Sequence, residues 1–371
     1  MTRKEILEIR KQFTITNCTI TKICGCYIDE EKQIALQFSD NFLRLPEELA
    51  FKYLDIFKKT LSGKVNKNLL NISYKTNEEG AGSAHSLLMN LKMSRLSDQT
   101  FLSEFYENII ESYNYAGKYM ILLLHGVYDV PGRSTDGITM EDASEEVYEH
   151  VLCAICPVDL SDSGLCINLD DPSVETRIRD WVVKPPMHGF LFPAFNDRQT
   201  DIHGVLFYTK KDTDLQEGFT KGVLGCKEII SGSIQKDFFK DVLTNTLQNT
   251  NGCQVMQNIQ GAVRKKTNEM DEEEATLTKR ECMDLLIEAG MAESSIEVVS
   301  AVYDQTFGEK GSVLADSITE TAKTTIEIGT IKVVIPDKGK EQVTFLEVNG
   351  RKCIAIYPDG PIKLNGVETH I

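Results

Sequence analysis

Asp197, Arg198, Asp201 and His203 fall within eight residues, Asn196-Asp197-Arg198-Gln199-Thr200-Asp201-Ile202-His203. A carboxylate, a guanidinium and an imidazole this close could clamp an anion or move a proton. A second set ends an apolar run: His125 closes KYMILLLHGV, and Asp129, Arg133, Asp136, Glu141 and Asp142 follow in a polar, Gly-containing connector. If the two connectors meet, Asp129 and Asp201 would be acid–base or metal-binding carboxylates. Arg133 and Arg198, with Asp197 beside them, would bind a charged ligand, and His203 or His125 would carry a proton. Such a set suits a hydrolase acting on a phosphate- or carboxylate-bearing substrate. The plainer reading of the same residues is structural: Asp197 caps a turn and Arg198 pairs with a neighbouring acid.

Both connectors need strands to hold them. Lys118 to Val127 is the strongest strand, and its unbroken apolar core predicts burial on both faces. Glu149 to Val158 predicts a second strand ended by Pro157, and Gly164 to Leu169 and Ile178 to Val183 predict short ones. Apolar runs at 189–195 and 202–208 flank the polar segment. They predict a β-hairpin with Asp197, Arg198 and Asp201 at its loop and His203 just inside the return strand. Trp181, the only tryptophan, is expected in the core. Upstream, 2–13 predicts an amphipathic helix, 18–27 with 32–38 a hairpin, and 83–93 and 97–113 two helices. Leu45-Pro46-Glu47-Glu48 opens another helix, with proline and acids in its first turn. The expected fold class is α+β: a mostly antiparallel sheet, with helices packed on one face.

Downstream, 215–224 and 233–266 read as helical, and the acidic run Glu269 to Glu274 marks a boundary. Thr278-Lys279-Arg280-Glu281 is a capping box opening a helix that ends at Gly290. A second helix runs to Phe307. From Thr324 the chain turns to β, and Asn349-Gly350 is its best hairpin signal. The expected plan is a main α+β domain at 1–266, an acidic linker at 267–277, a helical hairpin at 278–308 and a small β domain at 309–371.

Composition narrows the function classes. The 371 residues carry 40 Lys and Arg against 56 Asp and Glu, a net charge of −16. That charge weighs against nucleic acid, which needs a basic face; Lys58, Lys59, Lys64 and Lys67 are the one local exception. No apolar run reaches the ~20 residues of a membrane span. Met1-Thr2-Arg3-Lys4-Glu5 leads into a charged helix and not a signal peptide, so a cytoplasmic protein is expected. Among ten cysteines, only Cys24 with Cys26 and Cys153 with Cys156 lie close together; a zinc site would want a second pair at matching spacing, and Cys166 and His150 near Cys153 do not supply one. Both pairs read as core residues, and no metal site is expected. Ser62-Gly63-Lys64 lacks the upstream glycine of a phosphate-binding loop, so no cofactor is identified.

Six stretches carry a resemblance: GCYIDEEKQI, IFKKTLSGKVNKNLLNISY, YMILLLHGVYDVPGRSTDG, EDASEEVYEHVLCAICPVDL, DWVV followed by GFLFPAFNDRQTDIHGVLFYT, and TKRECMDLLIEAG. In their order they resemble the bacterial family described as domain of unknown function 4317. The resemblance spans nearly the whole chain and implies a cytosolic bacterial protein. It transfers no catalytic residues. The leading functional expectation is therefore a binding or regulatory protein without catalysis, taking a protein partner or a small anionic ligand. The hydrolase is the alternative.

Overall fold

The structure is a computed structural model. It describes all residues except 17–18, 75–78, 81, 134–138, 169–172, 227–228, 248–251, 270–274, 308–311, 359, 365–366 and 370–371, and leaves aside the side chains of 133, 139–145, 168, 269, 337, 340–341, 352 and 363–364. The chain forms two compact units, Met1–Ser233 and Ile234–Ile371.

The first unit opens with α1 (Arg3–Lys11), β1 (Ile20–Ile28), β2 (Ile34–Asn41), α2 (Glu47–Thr60) and β3 (Leu69–Ser73). Two helices follow, α3 (Ala84–Met93) and α4 (Gln99–Ser112), then the long strands β4 (Tyr119–Arg133) and β5 (Thr139–Leu160). Short strands come next: β6 (Leu165–Asn168), β7 (Ser173–Thr176), β8 (Trp181–Val183), β9 (His188–Phe192), β10 (Ala194–Asn196), β11 (Gln199–Asp201) and β12 (Gly204–Thr209). The unit continues into α5 (Glu217–Gly222). The main sheet runs β2-β1-β4-β5-β9-β12-β3, with β8 beside the far end of β5. Its pairings are antiparallel. The fold is α+β.

Alternation along the strands divides the apolar residues between two cores. Cys24, Ile121, Leu123, Cys153, Ile155, Phe190 and Phe207 point into one, with Leu88, Phe105, Ile109 and Phe219 from α3, α4 and α5. Ile23, Leu122, Leu124, Leu152, Leu191 and Leu206 point into the other, with Ile6, Ile9, Leu54 and Phe57 from α1 and α2. Helices therefore cover both faces, not one. The reason lies in the strands: the central runs are apolar at consecutive positions, so neither face can meet water without exposing aliphatic surface.

Two further expectations are corrected. Pro157 does not end β5, which continues to Leu160. Pairing with β9 stops at Ile155 opposite His188, so the missing N–H of Pro157 removes no bond on that side. Trp181 is 49% exposed, with Lys118 Nζ 3.4 Å from its ring centroid. A three-residue strand at the sheet margin cannot bury an indole.

The second unit holds most of α6 (Gly232–Thr246), then α7 (Gly252–Glu269), β13 (Thr276–Thr278), α8 (Lys279–Glu288), α9 (Glu293–Phe307), β14 (Ser312–Leu314) and α10 (Ala315–Ile318). Thr278 caps α8 in a full capping box with Glu281. These elements enclose a core of Phe239, Ile259, Val263, Leu286, Val299 and Tyr303. Three hairpins follow: β15 (Lys323–Ile328) with β16 (Ile331–Pro336), β17 (Val343–Val348) with β18 (Arg351–Ile356), and β19 (Ile362–Leu364) with β20 (Val367–Thr369). Asn349 and Gly350 turn the middle one at φ of 52° and 76°. Among the described residues no helix is long and apolar enough to cross a membrane.

Candidate functional site

The polar segment forms the tip of a bent hairpin. β9 and β12 pair within the main sheet, and beyond them β10 and β11 make a small ribbon of their own. Asp197 and Arg198 turn it at φ of 52° and 59°, the left-handed region a two-residue hairpin turn demands. An arginine held there costs about 1 kcal/mol or more relative to glycine.

Its side chain accounts for the choice. Arg198 Nε and Nη2 donate to Glu8 of α1, the latter at 3.0 Å from Oε1, and Nη2 also donates to the Pro131 carbonyl at 2.9 Å. The pair is nearly enclosed, at 14% and 20% side-chain exposure. Tyr128 OH donates to the same Glu8 Oε1 at 3.0 Å; burial, with the Glu8 charge next, pushes that phenol up to about 12. The Thr200 N–H donates to Glu146 Oε1 at 2.8 Å, and Tyr148 OH donates to the Pro193 carbonyl at 2.6 Å. Arg198 thus touches the first connector at the Pro131 backbone. This meeting point holds a helix, a ribbon and a turn together through a carboxylate that the chain itself supplies.

The other candidates disperse. Asp201 accepts from Asn196 Nδ2 at 2.6 Å and from the His203 N–H at 3.0 Å, closing the tip locally. His203 sits in the turn before β12, 64% exposed, with Nδ1 2.7 Å from Glu79. The hydrogen bond to Glu79 raises its pKa. Asp129 pairs with Val147 across the ribbon, and both are exposed, whereas Tyr128 and Tyr148 are buried on the opposite face. His125 is fully buried on the α3–α4 side of the sheet, with Nδ1 2.7 Å from Thr21 Oγ1. Burial pushes it down to about 4. The backbone of Arg133 ends β4 opposite Thr139; its side chain lies outside the described residues, as do those of Glu141 and Asp142, while Asp136 is not described at all.

Four groups escaped the sequence reading. Glu8 and Glu146 look like ordinary surface acids until the fold brings them to residues 190 and 54 positions away. His188 is buried between Tyr113 OH, 2.8 Å from Nδ1, and the Asp214 carbonyl, 3.0 Å from Nε2. Burial lowers the imidazole and raises the phenol. This Tyr–His–Asp arrangement is a fully satisfied tie, and its phenol is harder to ionise than a free one. The fourth, His150, lies directly opposite Gly126 and is fully buried, and among the described residues neither ring nitrogen makes a well-aligned hydrogen bond.

Among the described residues, no group of three or more His, Cys, Asp or Glu is placed to hold a metal. Residues 1–367 match the model of the family described as Domain of unknown function (DUF4317). No curated protein matches the chain.

Proposed function

The chain belongs to the DUF4317 family, and on that premise we propose that it is a binding protein without catalysis, whose C-terminal hairpins receive a protein partner. The observation that carries this reading is the set β15 to β20. Each is a two-stranded ribbon that joins no larger sheet among the described residues. Such ribbons are marginal alone in water and are stabilised by a third strand or a packed face. Ile328, Ile331, Val334, Val348 and Ile356 stand 48–61% exposed on them, which suits a surface completed by another molecule. The polar tip favours the same reading, because its arginine already holds an internal carboxylate. Nine described cysteines are free thiols, in keeping with a reducing, cytosolic setting.

The test is a crosslinking comparison in the native cell. The Ile328→Glu, Ile331→Glu double variant should lose a defined partner that Arg198→Ala retains. Loss in both, or in neither, would count against the hairpins. One observation keeps the hydrolase as a second reading: the 2.9 Å contact that brings Arg198 to the β4 connector. Turnover of phosphate or carboxylate esters that falls away in both Arg198→Ala and Asp201→Asn would replace the binding reading with that one.

A further inference from the structure

The first unit exposes an apolar arm. Past Pro157, β5 and β8 pair with Leu160 opposite Trp181. Ser161 N–H donates to the Asp180 carbonyl at 2.8 Å, and Arg177 N–H to the Gly164 carbonyl at 2.8 Å. The same two chain segments then pair again as β6 and β7, Leu165 opposite Thr176 and Ile167 opposite Val174. Directly opposed residues share a face. One face of the outer hairpin therefore carries Leu165, Ile167 and Val174, exposed by 78%, 74% and 66%, and Ile178 beyond it is 84% exposed. The other face carries Cys166 opposite Glu175.

The same unit exposes a second apolar surface at the β2 margin. Leu36 stands 53% exposed on the strand face that also bears Phe38, whose ring lies 6.2 Å from that of Tyr53. Leu49, one helical turn before Tyr53 on α2, is 41% exposed. Among the described residues β2 is also an end strand of the sheet, with no strand on its outer edge.

We propose that two copies of the chain clasp each other, each arm lying on the β2–α2 surface of the other copy. Three arguments single out a second copy. The first is placement. Leu36 pairs with Tyr27, Tyr27 with Met120 and Met120 with Cys156, so the surface and the arm's root lie at one end of the sheet. They are three strand spacings apart, ~14 Å, while eight residues of extended arm reach ~26 Å. The second is area. A stable interface buries ~1,200–2,000 Å² in total, and a patch of this kind offers ~300–400 Å². One arm stacked on another arm falls short; a reciprocal clasp engages four surfaces and reaches the range. It also closes by a two-fold, so it does not propagate into a filament. The third is charge. Arg177 and Arg179 follow the apolar residues of β7, while Glu47 and Glu48 precede Leu49 at the start of α2. Opposite charges on the two surfaces offset part of the repulsion between two chains of net charge −16.

Sedimentation of the full chain at micromolar concentration tests the clasp. The expected mass is twice 41.7 kDa. Leu165→Glu with Ile167→Glu on the arm should give a monomer, and so should Leu36→Glu on the surface. Both sets are exposed positions, and far-UV circular dichroism checks that the fold is kept; Leu49→Lys replaces Leu36→Glu if the latter misfolds. Mixing the arm variant with the surface variant should leave both monomeric at this concentration, because one arm on one surface engages only the two patches that fall short of a stable interface. A monomeric wild type overturns the proposal. So does a dimer that the arm variant breaks and the surface variants leave whole, the signature of arm stacking on arm, or a dimer indifferent to both.

Discussion

Lowering the pH from 7 to 5 should destabilise the sheet unit by about 2 kcal/mol through His150 alone. The ring is fully buried, stacks on Tyr148 at 4.8 Å between centroids, and among the described residues makes no well-aligned hydrogen bond beyond a contact with the Tyr148 backbone. Burial, and then the nearby His125, push its pKa down to about 3. Because the folded value lies below the unfolded value of ~6.5, the unfolded chain binds the proton first. The contribution is complete above pH 6.5, falls as the pH drops through that value, and stops falling near 3. At pH 5 an unfolded histidine is ~1.5 units past its midpoint, and each unit is worth ~1.4 kcal/mol. Any folded value well under 5 gives the same figure, so the prediction does not rest on how far the group is shifted. His125 contributes in the same direction, partly offset by Glu149. The assay is urea unfolding followed through Trp181, the only indole in the chain and a reporter of this unit alone. His150→Phe keeps a ring against Tyr148 and cannot titrate; His150→Gln serves if the larger ring does not fit. Either variant should lose about 2 kcal/mol less than wild type between pH 7 and 5. Equal losses in variant and wild type would refute the account of a neutral, buried imidazole.

Three further outcomes are expected. Arg198→Ala should destabilise the sheet unit by about 2 kcal/mol by removing the charge that offsets Glu8 and leaving it the Tyr128 hydroxyl, and Arg198→Gly by about 1 kcal/mol less, since glycine relieves the left-handed backbone; urea midpoints measure both. Gly126→Ala should lower stability by ~1–3 kcal/mol, because its Cβ would sit 2.6 Å from His150 Nε2; the deficit should shrink in the double variant with His150→Ala, read by the same unfolding assay. Tyr113→Phe should cost about 1–2 kcal/mol by leaving His188 Nδ1 unpaired, measured by thermal unfolding, with the His188 ring resonances shifting in NMR spectra.

The strands of the sheet were readable because burial on two sides leaves uninterrupted apolar runs, and the turn at Asn349-Gly350 because its backbone demands those residue types. Asp197-Arg198 is a poor version of the same turn, and the sequence hairpin located it from the flanking runs alone. What no local pattern could supply was the acid that occupies Arg198. Glu8 lies on the polar side of a short amphipathic helix, 190 positions earlier, and only tertiary packing selects it from its neighbours. The number of helix-covered faces was misjudged for a related reason: hairpin connectivity implies antiparallel pairing but says nothing about which side each helix crosses. Trp181 was misplaced because size predicts burial only where a core is within reach.

Residues adjacent along β5 look into separate interiors. Leu152 is packed with α1 and α2, and Cys153 with α3 and α4. The sheet therefore acts as a partition between two repacking problems that scarcely interact. Aliphatic exchanges at Leu122, Leu152, Leu191 and Leu206 can be compensated among themselves while the chamber behind Ile121, Cys153 and Phe190 keeps its composition. Drift on one side of the wall leaves the other side free to stay as it is, which gives this unit two nearly independent routes for its interior to change.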